Sequence, residues 1–395
     1  MPATPRNVAP ATLVSLAVIL ALALVGLVAL NSADAAPGQP SCGDTITTDT
    51  TLHHNLVNCP NNGIIVGADD VTLDLNYHRI DGNGTPTAGC TGTCDVGVDI
   101  DGRDGVTVVH GSVRQFGDGV IARAARHTRL LGVSSSSNQF SAIVVSDSDR
   151  SVVRNSSGIG SYSDVGAGIF VVLSDQVRIV HSSFRGNAFR GIDVFESTHT
   201  LIARNRVSRN KGDVLEGAGI ALEGSDLNRV RGNSSVRDGD AGIILSGKRN
   251  VIVRNRVFHP HASGPGEGVA IEVRSHQGNV IAHNTVRDTE GDAIRVGASV
   301  RVVGTVVRRN RIPGAGEDGV HVDHVAKDTR LRGNHAFGAN DDGLDVESRS
   351  TTLIRNEARR NGDLGIEAVR GVIDGGGNKA SGNGDRRQCT HIVCR

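Results

Sequence analysis

Large aromatics are almost missing from this chain of 395 residues, which has no Trp and two Tyr. Surfaces that hold neutral sugars by stacking against their ring faces need such side chains. Any saccharide bound here would therefore be gripped by charge and hydrogen bonds, which suits a uronate polymer. Net charge is missing too, with Lys plus Arg and Asp plus Glu at 42 each. No overall field draws the protein to nucleic acid or to an anionic membrane, and neither is expected as a partner. Cysteine is scarce and sits as three close pairs, Cys42 with Cys59, Cys90 with Cys94, and Cys389 with Cys394. Of the pairings that six cysteines allow, locality favours these three disulfides in an oxidising compartment. One long apolar run exists, over residues 11–30, preceded by Arg6 and followed by the small-residue site Ala33-Asp34-Ala35. It reads as a secretory signal over residues 1–35, and the protein is expected to be secreted. The run is long enough to span a bilayer, so an uncleaved, outward-facing anchor is the alternative.

What the chain has in abundance is one repeated phrase. A Gly followed by alternating apolar residues returns every 22 to 28 residues, as GVDID at Gly97, GIDVF at Gly191, GIALE at Gly219, GVHVD at Gly319 and GLDVE at Gly343. The alternation has the two-residue period of a strand, and the constant interval marks a solenoid. About ten residues after each Gly comes a second apolar stretch ending on Asn, at Asn205, Asn233, Asn255, Asn284, Asn310 and Asn334. No i, i+3, i+4 helical pattern accompanies it. Gly, and next Asn, are read as the corner residues that take positive φ, with Asn amides hydrogen-bonding along the axis as in other in-register stacks. The expected fold is all-β, a right-handed parallel β-helix of about 12–13 coils, roughly 60 Å long at ~4.8 Å per coil. Its organisation reads as a signal over 1–35, an N-terminal cap and first coil with disulfides over 36–96, repeats over 97–378, and a C-terminal cap with a disulfide over 379–395.

If the coils stack in register, the outward positions of the repeated strand form two columns. The inner one includes Asp99, Phe170, Asp193, Ile244, Ala270, Arg295, His321, Asp345 and Glu367. The outer one includes Asp101, Phe195, Glu223, Glu272, Asp323 and Glu347. Arg295, His321, Asp323, Asp345, Glu347 and Glu367 crowd four consecutive coils. Asp323 would lie beneath Glu347 and Asp345 beneath Glu367, like charges across a ladder that stability alone would avoid. Such pairs should raise a carboxyl pKa, as acid/base work on a glycoside requires. The diagonal Asp323 and Asp345 suggest the wider carboxyl spacing of inverting hydrolysis. Lyase chemistry also fits, with Arg295 or Ca²⁺ neutralising a uronate carboxylate and His321 removing the neighbouring proton. Asp323, Asp345, Glu347, His321 and Arg295 are thus the candidate catalytic residues. Glu367, Glu272, Glu223, Asp193 and Phe195 are candidates for holding the chain. Asp193, Glu196 and Glu223 form a second acidic group without a matching base. At Phe170, Phe195 and Ile244 a loop is expected to fold over the strand face. No resident metal is assigned, and the protein is read as a monomer.

These residues resemble the secreted bacterial right-handed β-helix proteins of the pectin-lyase-like superfamily, from the opening CGDTITTDTTL to the closing GNGDRRQCTHIVC. The subgroup they look most like is the one related to NosD-like proteins and to carbohydrate-binding and sugar-hydrolysis domains. Asp341-Asp342-Gly343 is similar to the second motif of inverting polygalacturonases, whose other motifs are absent here. The resemblance implies the fold and an acidic polysaccharide partner. Two functions stay open: a lyase or hydrolase acting along the strand face, and a non-catalytic rod at a surface or in a matrix, binding glycan or protein. The longest interruptions of the period fall between Gly191 and Val269, earlier than the charged coils.

Overall fold

The computed structural model describes residues 38–85, 95–212, 217–260, 268–298 and 300–395. Residues 1–35, read above as a secretory signal, and the expected Cys90–Cys94 pairing lie outside these residues. The unit Cys42–Arg395 is built from short parallel strands stacked coil upon coil. Its main ladder passes through fourteen strands, from Asp44–Ile46 to Ile366–Ala368. That is at least one coil more than the repeat count gave, because Asp44–Ile46 pairs in register with Ile64–Val66 without carrying the Gly phrase. Two further ladders close each coil. One includes Val152–Arg154, Arg178–Val180 and Leu201–Ala203, and the other Ser183–Arg185, Arg206–Ser208 and Ser234–Val236. Cys42–Cys59 and Cys389–Cys394 are joined at the two ends. No helix among the described residues is long and apolar enough to cross a membrane.

Inward side chains form one continuous core. Ile192, Ile220, Ile243, Ile271 and Ile294 stack in the interior with no exposed surface, each the first inward residue of its strand. The Asn residues form the expected ladder. Asn233 donates from its amide to Ile202 O and Asn255 Oδ1, and its own Oδ1 accepts from the main chain and amide of Asn205. The same pattern runs on through Asn284, Asn310, Asn334 and Asn356 to Asn378.

The corner chemistry differs from the expectation in one instructive way. The repeated glycines have ordinary φ, and so do the ladder asparagines; positive φ falls on the residue before each Asn, such as Arg204, Arg254 and His283. The repeated Gly is needed for close approach. A Cβ at Gly97 would sit 2.0 Å from Val113 Cγ1 and 2.6 Å from the carbonyl of Gly119.

The register also corrects one column. Ile243 pairs with Ile271 and Ile244 with Glu272, so Ala270 stands in the place of the repeated Gly and Glu272 belongs to the inner column. The preceding Gly268 is a positive-φ corner residue at φ 76°, and its GVAIE phrase runs two residues ahead of the true repeat.

Candidate functional site

The charged coils near the C-terminal end are organised by a position outside both columns, the residue just before the repeated Gly or Ala. In three consecutive coils this residue is Asp292, Asp318 and Asp342, all buried. Each spends one carboxylate oxygen on the next coil. Asp292 Oδ1 accepts from the Asp318 amide at 3.0 Å, Asp318 Oδ1 from the Asp342 amide at 2.9 Å, and Asp342 Oδ1 from the Leu364 amide at 2.6 Å. The second oxygen faces the strand residue three positions on. Asp292 thereby meets Arg295 Nε at 2.7 Å, and Asp318 meets His321 Nδ1 at 3.5 Å.

In the third coil the rule brings Asp345 to Asp342, two acids that cannot pair. Asp345 instead takes His321 Nδ1 at 2.9 Å, one coil back. Asp342 faces the exposed Glu367, with an oxygen of each within 4.8 Å of the other, and this neighbour favours the protonated form of the buried carboxyl. Burial first, then the bond to Glu367, pushes Asp342 up to about 8. Burial works against a charge on His321, but the bonds to Asp318 and Asp345 and the nearby Asp292 outweigh it and raise the imidazole to about 10. His321 is accordingly an imidazolium at neutral pH, clamped between two carboxylates and still one-fifth exposed (19%). The Asp318 carboxyl is also raised, chiefly by burial.

Of the candidate catalytic residues, His321, Asp345 and Arg295 lie in this cluster. Arg295 is committed to Asp292 and to Glu317 at 3.5 Å. Asp345 and Glu367 are indeed ladder neighbours, although the carboxyl that Glu367 helps to raise is that of Asp342. Asp323 and Glu347 flank the cluster, bridged by His324 at 2.9 and 3.6 Å. Among the chain-holding candidates, Glu272 is buried, paired with Arg274 at 2.7 Å and opposite Arg295 in the ladder. Asp193 and Glu223 do have a matching base: Arg190, itself the residue before the repeated Gly, reaches them at 2.9 and 2.7 Å from a buried position. Phe195 is partly exposed, whereas Ile244 is fully buried with Ala218, Ala221 and Ala241, so that stretch of the strand face is covered.

Sequence reasoning missed Asp292, Asp318 and Arg190, and met Asp342 only within the Asp341-Asp342-Gly343 resemblance, not as a site residue. The available signal was an Asp directly before the Gly or Ala in three successive repeats.

Several sets of these groups could hold a divalent cation. In Asp318, His321 and Asp345, and again in Asp342, Asp345 and Glu367, one ligating atom from each residue lies within 4.8 Å of the others.

A family model described as "Right handed beta helix region" matches residues 42–207, 96–258, 196–358 and 263–385. No curated protein matches the sequence. Among solved structures, the chain is similar to the periplasmic alginate epimerase AlgG, at 14% identity and TM-score 0.57 over 76% of each chain. A point mutant of that enzyme gives 13% identity and TM-score 0.57, over 80% of this chain and 77% of the other. PfbA, a surface adhesin of Streptococcus pneumoniae, is 12% identical with TM-score 0.49, over 78% of this chain and 83% of the other. At these identities the likeness is one of fold, the right-handed parallel β-helix.

Proposed function

The chain belongs to the right-handed β-helix family, and from that premise we propose that it works outside the cytoplasm as a polysaccharide hydrolase. The glycan would lie along the main strand ladder, and the chemistry would come from Glu367, Asp342, Asp345 and His321. The observation that carries this reading is the raised, buried Asp342 carboxyl facing exposed Glu367, with which it would share one proton, one strand from a carboxylate fixed by an imidazolium. Glu367 is the group that reaches the substrate. It passes the shared proton to the glycosidic oxygen, with Asp342 as its buried reservoir. Asp345, held by His321, attacks the anomeric carbon as the protonated glycosidic bond breaks, and a water that gives its proton back to Glu367 then hydrolyses the glycosyl ester and frees Asp345. Oxygens of Asp342, Asp345 and Glu367 lie within 4.8 Å of one another, nearer the ~5 to 5.5 Å of retaining glycosidases than the ~6.5 to 9.5 Å of inverting ones. The wider Asp323/Asp345 pairing is therefore not the pair proposed here.

His321 in its charged form has no lone pair with which to take a proton, which supports hydrolysis over elimination. An acidic chain, the substrate class proposed, would place its carboxylates on Arg295 and His321 or on a Ca²⁺ bridging the Asp and Glu side chains. Kinship to NosD-like and sugar-hydrolysis β-helix proteins belongs to the same proposal.

The test is a panel of polyuronates and neutral glycans incubated with the secreted protein, with and without Ca²⁺. New reducing ends without unsaturated products, lost in Asp345→Asn, support hydrolysis. Unsaturated products would assign a lyase, and glycan retention without cleavage would assign the binding rod.

A further inference from the structure

The equality of positive and negative charge conceals a segregation. From Arg129 to Arg359, the described strands of the second and third ladders carry a single acid, Glu357, while arginines recur in nearly every coil. Of the 42 Lys and Arg, only Lys211, Lys248, Lys327 and Lys379 are lysines. The bases of this protein are thus planar, bidentate guanidinium groups suited to carboxylate and sulfate.

The arginines converge on a groove of ≈ 630 Å³ across the second ladder, lined by Arg154, Arg178, Arg204, Arg231 and Arg254 with His181. All six are exposed. None of the five arginines has a carboxylate partner among the described residues, and the polar contact of Arg204 is to His181 Nε2 at 3.5 Å. Val152, Val180, Leu201, Ala203 and Gly232 complete the groove. Further along the same corner, Arg254, Arg308 and Arg309 add to the effect of burial in lowering the pKa of His283, as a local positive field should.

The backbone at this corner argues that the guanidinium groups are selected for something. The position before the Asn ladder is left-handed in every coil, and Gly occupies it at Gly232, Gly333 and Gly377 with φ 65°, 61° and 73°. In the coils between, Arg204, Arg254, Arg309 and Arg355 hold the same conformation at φ 57°, 57°, 53° and 52°, save where His283 takes the place. An L side chain is strained there and Gly is not. Arg thus persists where the fold alone favours Gly.

We propose that this arginine-lined corner is a docking surface for a linear anionic polysaccharide, separate from the strand face and independent of any chemistry there. The groups lie on coils spaced at roughly 4.8 Å, close to the length of one sugar in an extended chain. An extended two-fold glycan turns the anionic groups of alternate sugars to the same side. That repeat matches the two-coil step from Arg204 to Arg254 and from Arg309 to Arg355. A nucleic-acid duplex spaces its phosphates by about 3.4 Å along each strand, out of step with the coils. Single strands rely on aromatic stacking platforms, and Phe258 and Phe337 on the neighbouring ladder are already capped by Arg287 and Arg311.

The test uses the whole secreted protein and the double variant R204G/R254G, which introduces the residue the fold already accepts in adjacent coils. Binding to immobilised polygalacturonate, dextran sulfate, neutral dextran and a single-stranded oligonucleotide is measured at low and moderate salt. The expected result is salt-sensitive binding of one or both anionic glycans, weakened about tenfold or more in the variant, with thermal stability unchanged or raised. Which anionic glycan binds tells carboxylate from sulfate recognition. Equal affinity in wild type and variant, equal binding of neutral dextran, or tighter binding of the oligonucleotide would each overturn the proposal.

Discussion

Replacing Asp342 by Asn should remove a pH dependence of stability that the wild-type protein carries. The Asp342 carboxyl has an ordinary value near 3.8 when unfolded and is pushed up to about 8 in the fold, by burial and by the neighbouring Glu367. The folded state binds this proton more tightly than the unfolded state. The contribution is therefore fully present below pH 3.8 and is lost as pH rises through about 8. Inside that window the slope is at most roughly 1.4 kcal/mol per pH unit, so the wild type should lose up to about 3 kcal/mol between pH 5 and pH 7 from this group. Asn keeps the shape and offers Glu367 a neutral hydrogen-bonding partner in place of the protonated acid. The variant should accordingly be less sensitive over the same interval and melt higher than wild type at pH 7. Calorimetry or far-ultraviolet circular dichroism is the suitable readout, since the protein has no Trp to report by fluorescence. The same slope in wild type and variant, or a variant destabilised equally at pH 5 and pH 7, would refute the shared proton.

Asn255→Ala removes four buried hydrogen bonds of the ladder and strands the Asn233 amide and the Val230 carbonyl; it should cost about 3 kcal/mol or more, read by denaturant unfolding or by hydrogen exchange in the flanking coils. Gly97→Ala drives a methyl to 2.0 Å from Val113 Cγ1 and should destabilise by about 3 kcal/mol, measured the same way. Arg204→Gly trades left-handed strain for backbone entropy, and its melting temperature should hold or rise, by up to about 1 kcal/mol in stability. Asp345→Asn leaves His321 with Asp318, so it should keep the fold by circular dichroism while abolishing glycan cleavage.

Much of this structure was legible because a solenoid writes its geometry into the period. Once Gly191, Gly219 and Gly319 are aligned, inward Ile192, Ile220 and Val320 and outward Asp193, Ala221 and His321 follow from the pleat. The Asn ladder was equally readable, because an Asn at the same place in successive coils finds its amide partners directly above and below. What the repeat conceals is anything that depends on the corner. Asp292, Asp318 and Asp342 precede the strand phrase, and the links of Asp292 and Asp318 to residues three positions on arise where the chain bends. Arg190 escaped for the same reason, leaving Asp193 and Glu223 apparently without a base. At Gly268 a corner glycine mimicked the strand glycine and shifted one column by two residues. Composition misled once more at the level of charge, since equal totals say nothing about which face carries which sign.

The most direct test of the proposed chemistry is the stereochemistry of the first product. A glycan cleaved in the panel is incubated with wild-type protein, Asp345→Asn and Glu367→Gln, and the nascent anomeric signal is followed by proton NMR before mutarotation. Retention of configuration in the wild type and no product from either variant is the predicted result. Inverted product, unsaturated ends, or cleavage that survives both substitutions would contradict it.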